Sequence, residues 1–134
     1  MRVLIALLWL LHWLPLPVLG RFGAAVGSLL FLVLGKRRHI ALVNLRLCMP
    51  ELSEDARRAI ARDHFRSYSR SIFERSILWW APEARVRKLI HVEGSVPQAA
   101  MEAGPTILLC PHFVCLDVAG VAARVIPVCS MYVP

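Results

Sequence analysis

Apolar positions are spread unevenly along the chain: residues 3–34 are almost wholly apolar, whereas 51–88 are rich in charge. The run 3–19 holds 17 residues, interrupted by His12, Pro15 and Pro17. As one helix it would span about 25 Å, slightly short of a bilayer core. A second apolar run, 22–34, follows Gly20-Arg21, and the basic cluster Lys36-Arg37-Arg38-His39 closes the region. Together the two runs are too long for one span and too short for two. A cleaved signal peptide is partly matched by Arg2 and by Gly23-Ala24-Ala25, but the apolar character resumes through Leu34, against cleavage. A buried core helix is the plain structural alternative. A retained membrane anchor over 1–35, spanning or re-entrant, fits the pattern better. The positive-inside rule then keeps the cluster, and everything from Lys36 onward, on the cytoplasmic side.

A helix is predicted from Ser53 to about Trp80. Ser53 can cap it, Glu54 and Asp55 suit the positive end of its dipole, and Pro82 stops it. At 100° per residue, Ile60, Ala61, His64, Phe65, Tyr68 and Ile72 gather on one face, the expected core face. Arg58, Arg62, Arg66 and Arg70 recur every four residues as a neighbouring ridge. Like charges at that spacing repel unless anions neutralise them, and guanidinium groups bind phosphates bidentately. The ridge is therefore a candidate substrate-binding surface. The alternative is a solvated helix face partly balanced by Asp63 and Glu74. Trp79-Trp80 suits either a membrane interface or a core.

Beyond Val86 the pattern changes. Leu89-Ile90-His91-Val92, ended by Gly94, reads as a strand, and 96–103 as a helix stopped by Gly104-Pro105. The continuous apolar run Thr106-Ile107-Leu108-Leu109-Cys110 reads as a strand buried on both faces. Residues 118–125 read as a helix and 128–133 as another strand. The order is β-α-β-α-β, so the expected fold class is α/β: one or more membrane-associated helices, a further helix, then a partial parallel layer.

Composition sharpens this picture. Hydrophobic residues make up 57% of the 134, above the usual range of about 45–50%. Lys and Arg total 16 against 9 acidic residues, a formal charge of +7, with Lys36 and Lys88 the only lysines. That balance favours anionic partners. With an apolar N-terminus the expected partner is a lipid surface, and no nucleic-acid-binding motif is present. Cys48, Cys110, Cys115 and Cys129 form no C-x-x-C pair, and three of the four lie in apolar runs, which fits free thiols in a reducing compartment.

Candidate chemistry lies at the carboxyl end of the 106–110 run, where ligands bind on parallel sheets. His112 and Asp117 are five residues apart, about 140° round a single helix. They meet only if His112 sits in a loop after Pro111 and Asp117 in the following helix. A carboxylate so placed holds the imidazole in one tautomer, and such a histidine removes a proton from a hydroxyl attacking an acyl carbonyl. The spacing alone fits equally a strand-end histidine and an unrelated helix-cap aspartate. A metal on Cys110, His112 and Cys115 lacks a standard zinc spacing and a fourth ligand. A thiol nucleophile at Cys110 or Cys115 would sit in apolar surroundings that raise its pKa. No metal or cofactor is expected.

These segments, taken in order, resemble the bacterial lipid A biosynthesis lauroyl/myristoyl acyltransferases, relatives of the glycerolipid acyltransferases. The resemblance runs over the whole chain. It rests on the apolar N-terminus, on Arg37-Arg38-His39-Ile40-Ala41-Leu42-Val43-Asn44-Leu45 with Leu47-Cys48-Met49-Pro50-Glu51, on Val92-Glu93-Gly94, and on Ile107-Leu108-Leu109-Cys110-Pro111-His112-Phe113 with Asp117. It implies transfer of a fatty acyl group from acyl carrier protein to a hydroxyl of a phosphorylated glycolipid, the lipid A precursor, at the cytoplasmic face of the bacterial inner membrane. His112 would be the general base and Asp117 its partner, with Arg58, Arg62, Arg66 and Arg70 facing the carrier protein or the substrate phosphates. The family chain continues past this point, through a Tyr-Arg-Pro-like segment whose arginine position corresponds to Val133. The expectation is thus an anchor, 1–35, and the N-terminal portion, 36–134, of an acyltransferase domain, a truncated form lacking much of the sheet and the acyl pocket. Two alternatives stay open: an enzyme acylating a glycerolipid or another glycolipid, and an inactive membrane-bound fragment that only binds anionic lipid or carrier protein.

Overall fold

The computed structural model describes residues 2–91 together with 104, 114, 117, 118 and 120. Two units divide the chain, Met1–Trp80 and Ala81–Pro134. The first holds α1 (Arg2–Leu11), α2 (Leu16–Val33), α3 (Gly35–Cys48) and α4 (Glu54–Trp80), and the second opens with α5 (Glu83–Leu89).

Proline sets the break between the first two helices. Pro15 offers no N–H and holds an extended conformation (φ −59°, ψ 142°) as the residue before α2. Pro17 falls in the first turn, where a missing N–H costs nothing. The chain bridges the break with tight turns, Leu14 N–H donating to the Leu11 carbonyl at 3.0 Å. His12 is buried there, its Nδ1 against the Trp9 carbonyl and its ring between Trp9 and Trp13, with centroids 5.4 and 4.8 Å away. Gly20 and Arg21, which separate the two apolar runs in sequence, lie inside α2.

Those glycines belong to the main packing contact. Gly20, Gly23 and Gly27 lie on the buried side of α2 with Leu19 and Phe31. A methyl group at Gly27 would sit 2.6 Å from the Arg66 Cα and closer still to the Phe65 carbonyl oxygen, and at Gly23 it would sit 2.7 Å from the Arg70 Cα. Backbone therefore rests on backbone, as small residues permit. The partners run backwards along α4, from Glu74 and Arg70 at Gly20 to Phe65 at Gly27, so the helices are antiparallel. Edge-to-face aromatic pairs flank the notch, Phe22 with Phe73 at 5.0 Å and Phe31 with Phe65 at 5.5 Å.

Both ends of α3 are clamped by arginine. At its start, the Arg38 guanidinium donates to the Phe31 and Leu32 carbonyls (2.8 and 3.2 Å), satisfying the end of α2. At the far end Arg57, only 9% exposed, donates to the Met49 carbonyl (3.1 Å), the Pro50 carbonyl (2.7 Å) and Glu54 (2.8 Å). Such charge-assisted bonds contribute about 1.5–3 kcal/mol each where sheltered. Arg46 pairs with both Glu54 oxygens at 2.9 Å, bidentately, and ties α3 to α4 across the same loop.

Helix α4 begins and ends as its sequence signals require, with the Ala56 N–H donating to Ser53 Oγ at 3.2 Å. Its buried face overlaps the expected one only in part. Ala61 is buried as expected, and so are Arg57, Ser69 and Ser76, while Ile60 and Tyr68 are 39% and 53% exposed. The buried stripe is turned about 40° from the expected face. The glycines on α2 meet the backbone of Phe65, Arg66 and Arg70. The serines keep their polarity satisfied locally, Ser76 Oγ donating to the Phe73 carbonyl at 2.6 Å.

The expected α/β class is corrected. All elements among the described residues are helices, and no strand occurs there. The proposed strand at 89–92 is overturned at its start, since Leu89 ends α5; Ile90, the residue after it, is extended (φ −105°, ψ 121°), and Val92 lies outside the described residues. Pro82 before Glu83, with Glu83 at 2.6 Å from Arg87 one turn on, makes 83–89 a helix. The strands expected at 106–110 and 128–133 and the helix at 96–103 lie outside the described residues. Gly104, at the expected stop, has φ +136°, a conformation that favours glycine.

Gly27→Ala should lower stability by roughly 1–3 kcal/mol by forcing the helices apart. Gly35→Ala, where an added Cβ meets nothing within 4 Å, should leave it unchanged or raise it slightly, both read by chemical denaturation. Hydrogen bonds from Arg46, and then the charges of Arg46 and Arg57, outweigh desolvation and hold the Glu54 carboxyl below the ordinary carboxylate range. Its contribution to stability is therefore complete above the unfolded-state pKa of about 4.3 and is lost as pH falls through the lower folded value. In Arg46→Gln an NMR titration of Glu54 should move up towards the ordinary value, and an unmoved titration would deny the clasp.

Candidate functional site

The sequence singles out two groups of residues, and the structure locates them unequally. His112 lies outside the described residues, as do Cys110 and Cys115. Asp117 is helical and exposed, Val118 and Gly120 are helical, and Val114 stands in a turn. The expected pairing asks for Asp117 in a helix, whereas the place of the histidine lies outside the described residues.

The arginine ridge is described in full. Its backbone is part of the packing, because the Cα atoms of Arg66 and Arg70 are what Gly27 and Gly23 approach. The side chains consequently leave α4 along the flank of α2. Arg70 reaches Glu74 at 3.3 Å and lies over Gly20, and Arg66 lies 3.5 Å from Asp63. Both remain about half exposed, so these pairs are weak and leave the guanidinium groups open to solvent. Arg62 stacks its guanidinium over the Phe31 ring, 5.5 Å from the centroid, and Arg58 is exposed. The four arginines form one row, but they are not four equivalent phosphate ligands.

Arg38 extends this row from another helix. Its guanidinium carbon is also 5.5 Å from the Phe31 centroid, so two cations share one buried ring. With Lys36 and Arg37 exposed nearby in sequence, positive charge concentrates where α2 ends. Helix C-termini carry partial negative charge, so cations there are favourable. Sequence reasoning placed these residues in a basic cluster and missed what Arg38 does. The available signal was a basic residue within one turn of a helix end. Cys48 is a free, exposed thiol, away from the apolar setting expected for most of the cysteines.

Comparison with known proteins shows which family the chain resembles. The family model for bacterial lipid A biosynthesis acyltransferases matches residues 2–127. The lipid A biosynthesis palmitoleoyltransferase of Escherichia coli K12 is 34% identical over 128 residues, 94% of this chain and 41% of that protein. The lipid A biosynthesis lauroyltransferase of the same organism is 36% identical over 90 residues, 67% of this chain and 29% of that protein. A lipid A biosynthesis acyltransferase of Haemophilus influenzae is 33% identical over 115 residues, 84% and 36% respectively. The chain thus spans about two fifths of the length of the first of these relatives. No solved structure matches it.

Proposed function

Because the chain belongs to the bacterial lipid A biosynthesis acyltransferases, we propose that it supplies the N-terminal part of an enzyme that transfers a fatty acyl group to a hydroxyl of a lipid A precursor. The observation that carries this reading is the family match over 2–127, which takes in both His112 and Asp117. The donor is an acyl carrier protein thioester, and the site is the cytoplasmic face of the bacterial inner membrane.

The step follows from the pair. Asp117 orients the His112 imidazole, and an imidazole nitrogen takes the proton of the acceptor hydroxyl as its oxygen attacks the thioester carbonyl. The C–S bond breaks, and the proton held on His112 passes to the leaving thiolate. An ester forms and a thiol leaves, with no covalent enzyme intermediate. The helical setting of Asp117 after a turn at Val114 supports the roles. The arginine row supports the choice of anionic partners, whether lipid phosphates or an acidic carrier surface.

Transfer from radiolabelled acyl carrier protein to lipid A precursor, measured in membranes carrying the protein, tests the assignment. His112→Ala should lower the rate by about 10²–10⁴ with the circular dichroism spectrum intact. An unchanged rate would remove His112 from the mechanism. The arginine row makes its own prediction in sedimentation with anionic vesicles. Arg58→Ala should weaken binding roughly fivefold, the equivalent of ~1 kcal/mol per arginine at such a surface. Asp63→Asn, which releases Arg66, should strengthen it, and both effects should vanish near 1 M salt, where the screening length is about 3 Å.

A further inference from the structure

Helix α2 is long and apolar enough to cross a membrane, yet the structure argues against its crossing. Its glycine side is locked onto α4 over residues 20–27, and Phe31 extends the contact to Phe65 and Arg62. Whatever orientation α2 takes, α4 takes with it. The stretch of α4 held against α2 carries Arg62, Asp63, Arg66, Arg70 and Glu74. If α2 stood along the bilayer normal, these charges would lie at the depth of the hydrocarbon, among the least favourable placements a side chain can have.

The opposite side of α2 is built for lipid. Val18, Leu29 and Leu32 are exposed and fall on one stripe, with exposed Ala25 between them. Val3, Leu7, Leu10 and Trp13 of α1 and its turn are exposed apolar residues as well. The arginines of α4 run along the flank of α2, where headgroup phosphates would lie if the stripe faced the acyl chains. Charge complementarity points the same way. Residues 1–50 carry basic groups such as Arg21, Lys36 and Arg37 and no acidic residue, the first being Glu51.

We infer that α1 and α2 lie in the plane of a single leaflet of an anionic bilayer, with the stripe 18–32 of α2 in the acyl chains and the arginine row of α4 at headgroup level. The membrane contact is one-sided, and the chain does not pass through. This inference rests on the membrane reading given above, and its test separates the two.

Nitroxide labels at Val18→Cys, Ala25→Cys and Leu32→Cys, in the full chain with Cys48, Cys110, Cys115 and Cys129 replaced by serine, would be read for depth in vesicles of phosphatidylethanolamine and phosphatidylglycerol. Equal depth at all three sites is expected. Val18 and Leu32 are about 21 Å apart along the helix axis. A crossing helix would place them near opposite surfaces with Ala25 at the centre, and that profile would overturn the inference while leaving membrane binding intact. Water-like signals at all three sites would remove the membrane reading as well. Oriented circular dichroism of the unlabelled, unsubstituted chain on the same lipid gives an independent answer. Helix axes in the bilayer plane are expected, and axes along the normal would refute the arrangement even if the labelled variants failed to fold.

Discussion

The close approach of two backbones, α2 at Gly23 and Gly27 and α4 at Phe65, Arg66 and Arg70, is the contact on which the rest of the first unit depends. At that separation no side chain fits between the helices. The contact gains its strength from dispersion over many atoms and from the aromatic pairs at its margins. It also sets what surrounds it. Fixing the Cα atoms of Arg66 and Arg70 against glycine leaves their side chains no exit except along the flank of α2. The basic row and the packing seam are thus one feature seen from two sides.

Short connections hold this contact in register. α3 joins the two long helices, and its ends are fixed by Arg38 on the last carbonyls of α2 and by Arg57 on the carbonyls of Met49 and Pro50. Arginine suits both tasks because its planar fork serves several acceptors at once. The same geometry bears on membrane attachment. On insertion scales a charge at the centre of a helix costs about 2.5–3.5 kcal/mol. A stretch of five charged residues bound to α2 outweighs what an 18-residue apolar helix gains by crossing.

Much of this was legible in the sequence, and the remainder was hidden for definite reasons. The limits of α4 could be read from Ser53 and Pro82, because caps and stops are local chemistry. The family could be read from its segments, and the match over 2–127 agrees with it. The buried side of α4 could not be read from hydrophobic periodicity. Of the expected face Ala61 is buried, but Ile60 and Tyr68 are exposed, while the polar Ser69 and Ser76, outside that face, are buried. The role of Gly20, Gly23 and Gly27 was hidden too, since a pattern of apolar residues cannot distinguish a glycine that ends a helix from one that lets a neighbour approach. Helix α5 was passed over because Leu89-Ile90-His91-Val92 drew attention as an apolar run, although Pro82, Glu83 and Arg87 carried the helix signals. Of the candidate site, Asp117 is helical, His112 lies outside the described residues, and the arginines of the ridge stand in different settings that periodicity does not reveal.

The two sides of α2 obey different rules of tolerance. On the seam, Gly23 and Gly27 respond to volume alone: one added carbon meets backbone, and no rotamer can relieve it. On the outer side, Val18, Leu29 and Leu32 touch little protein, and any apolar residue there preserves the same surface. Divergence along this helix should therefore be lopsided, with the outer stripe drifting freely among aliphatic residues while the glycines stay fixed in relatives that keep the hairpin.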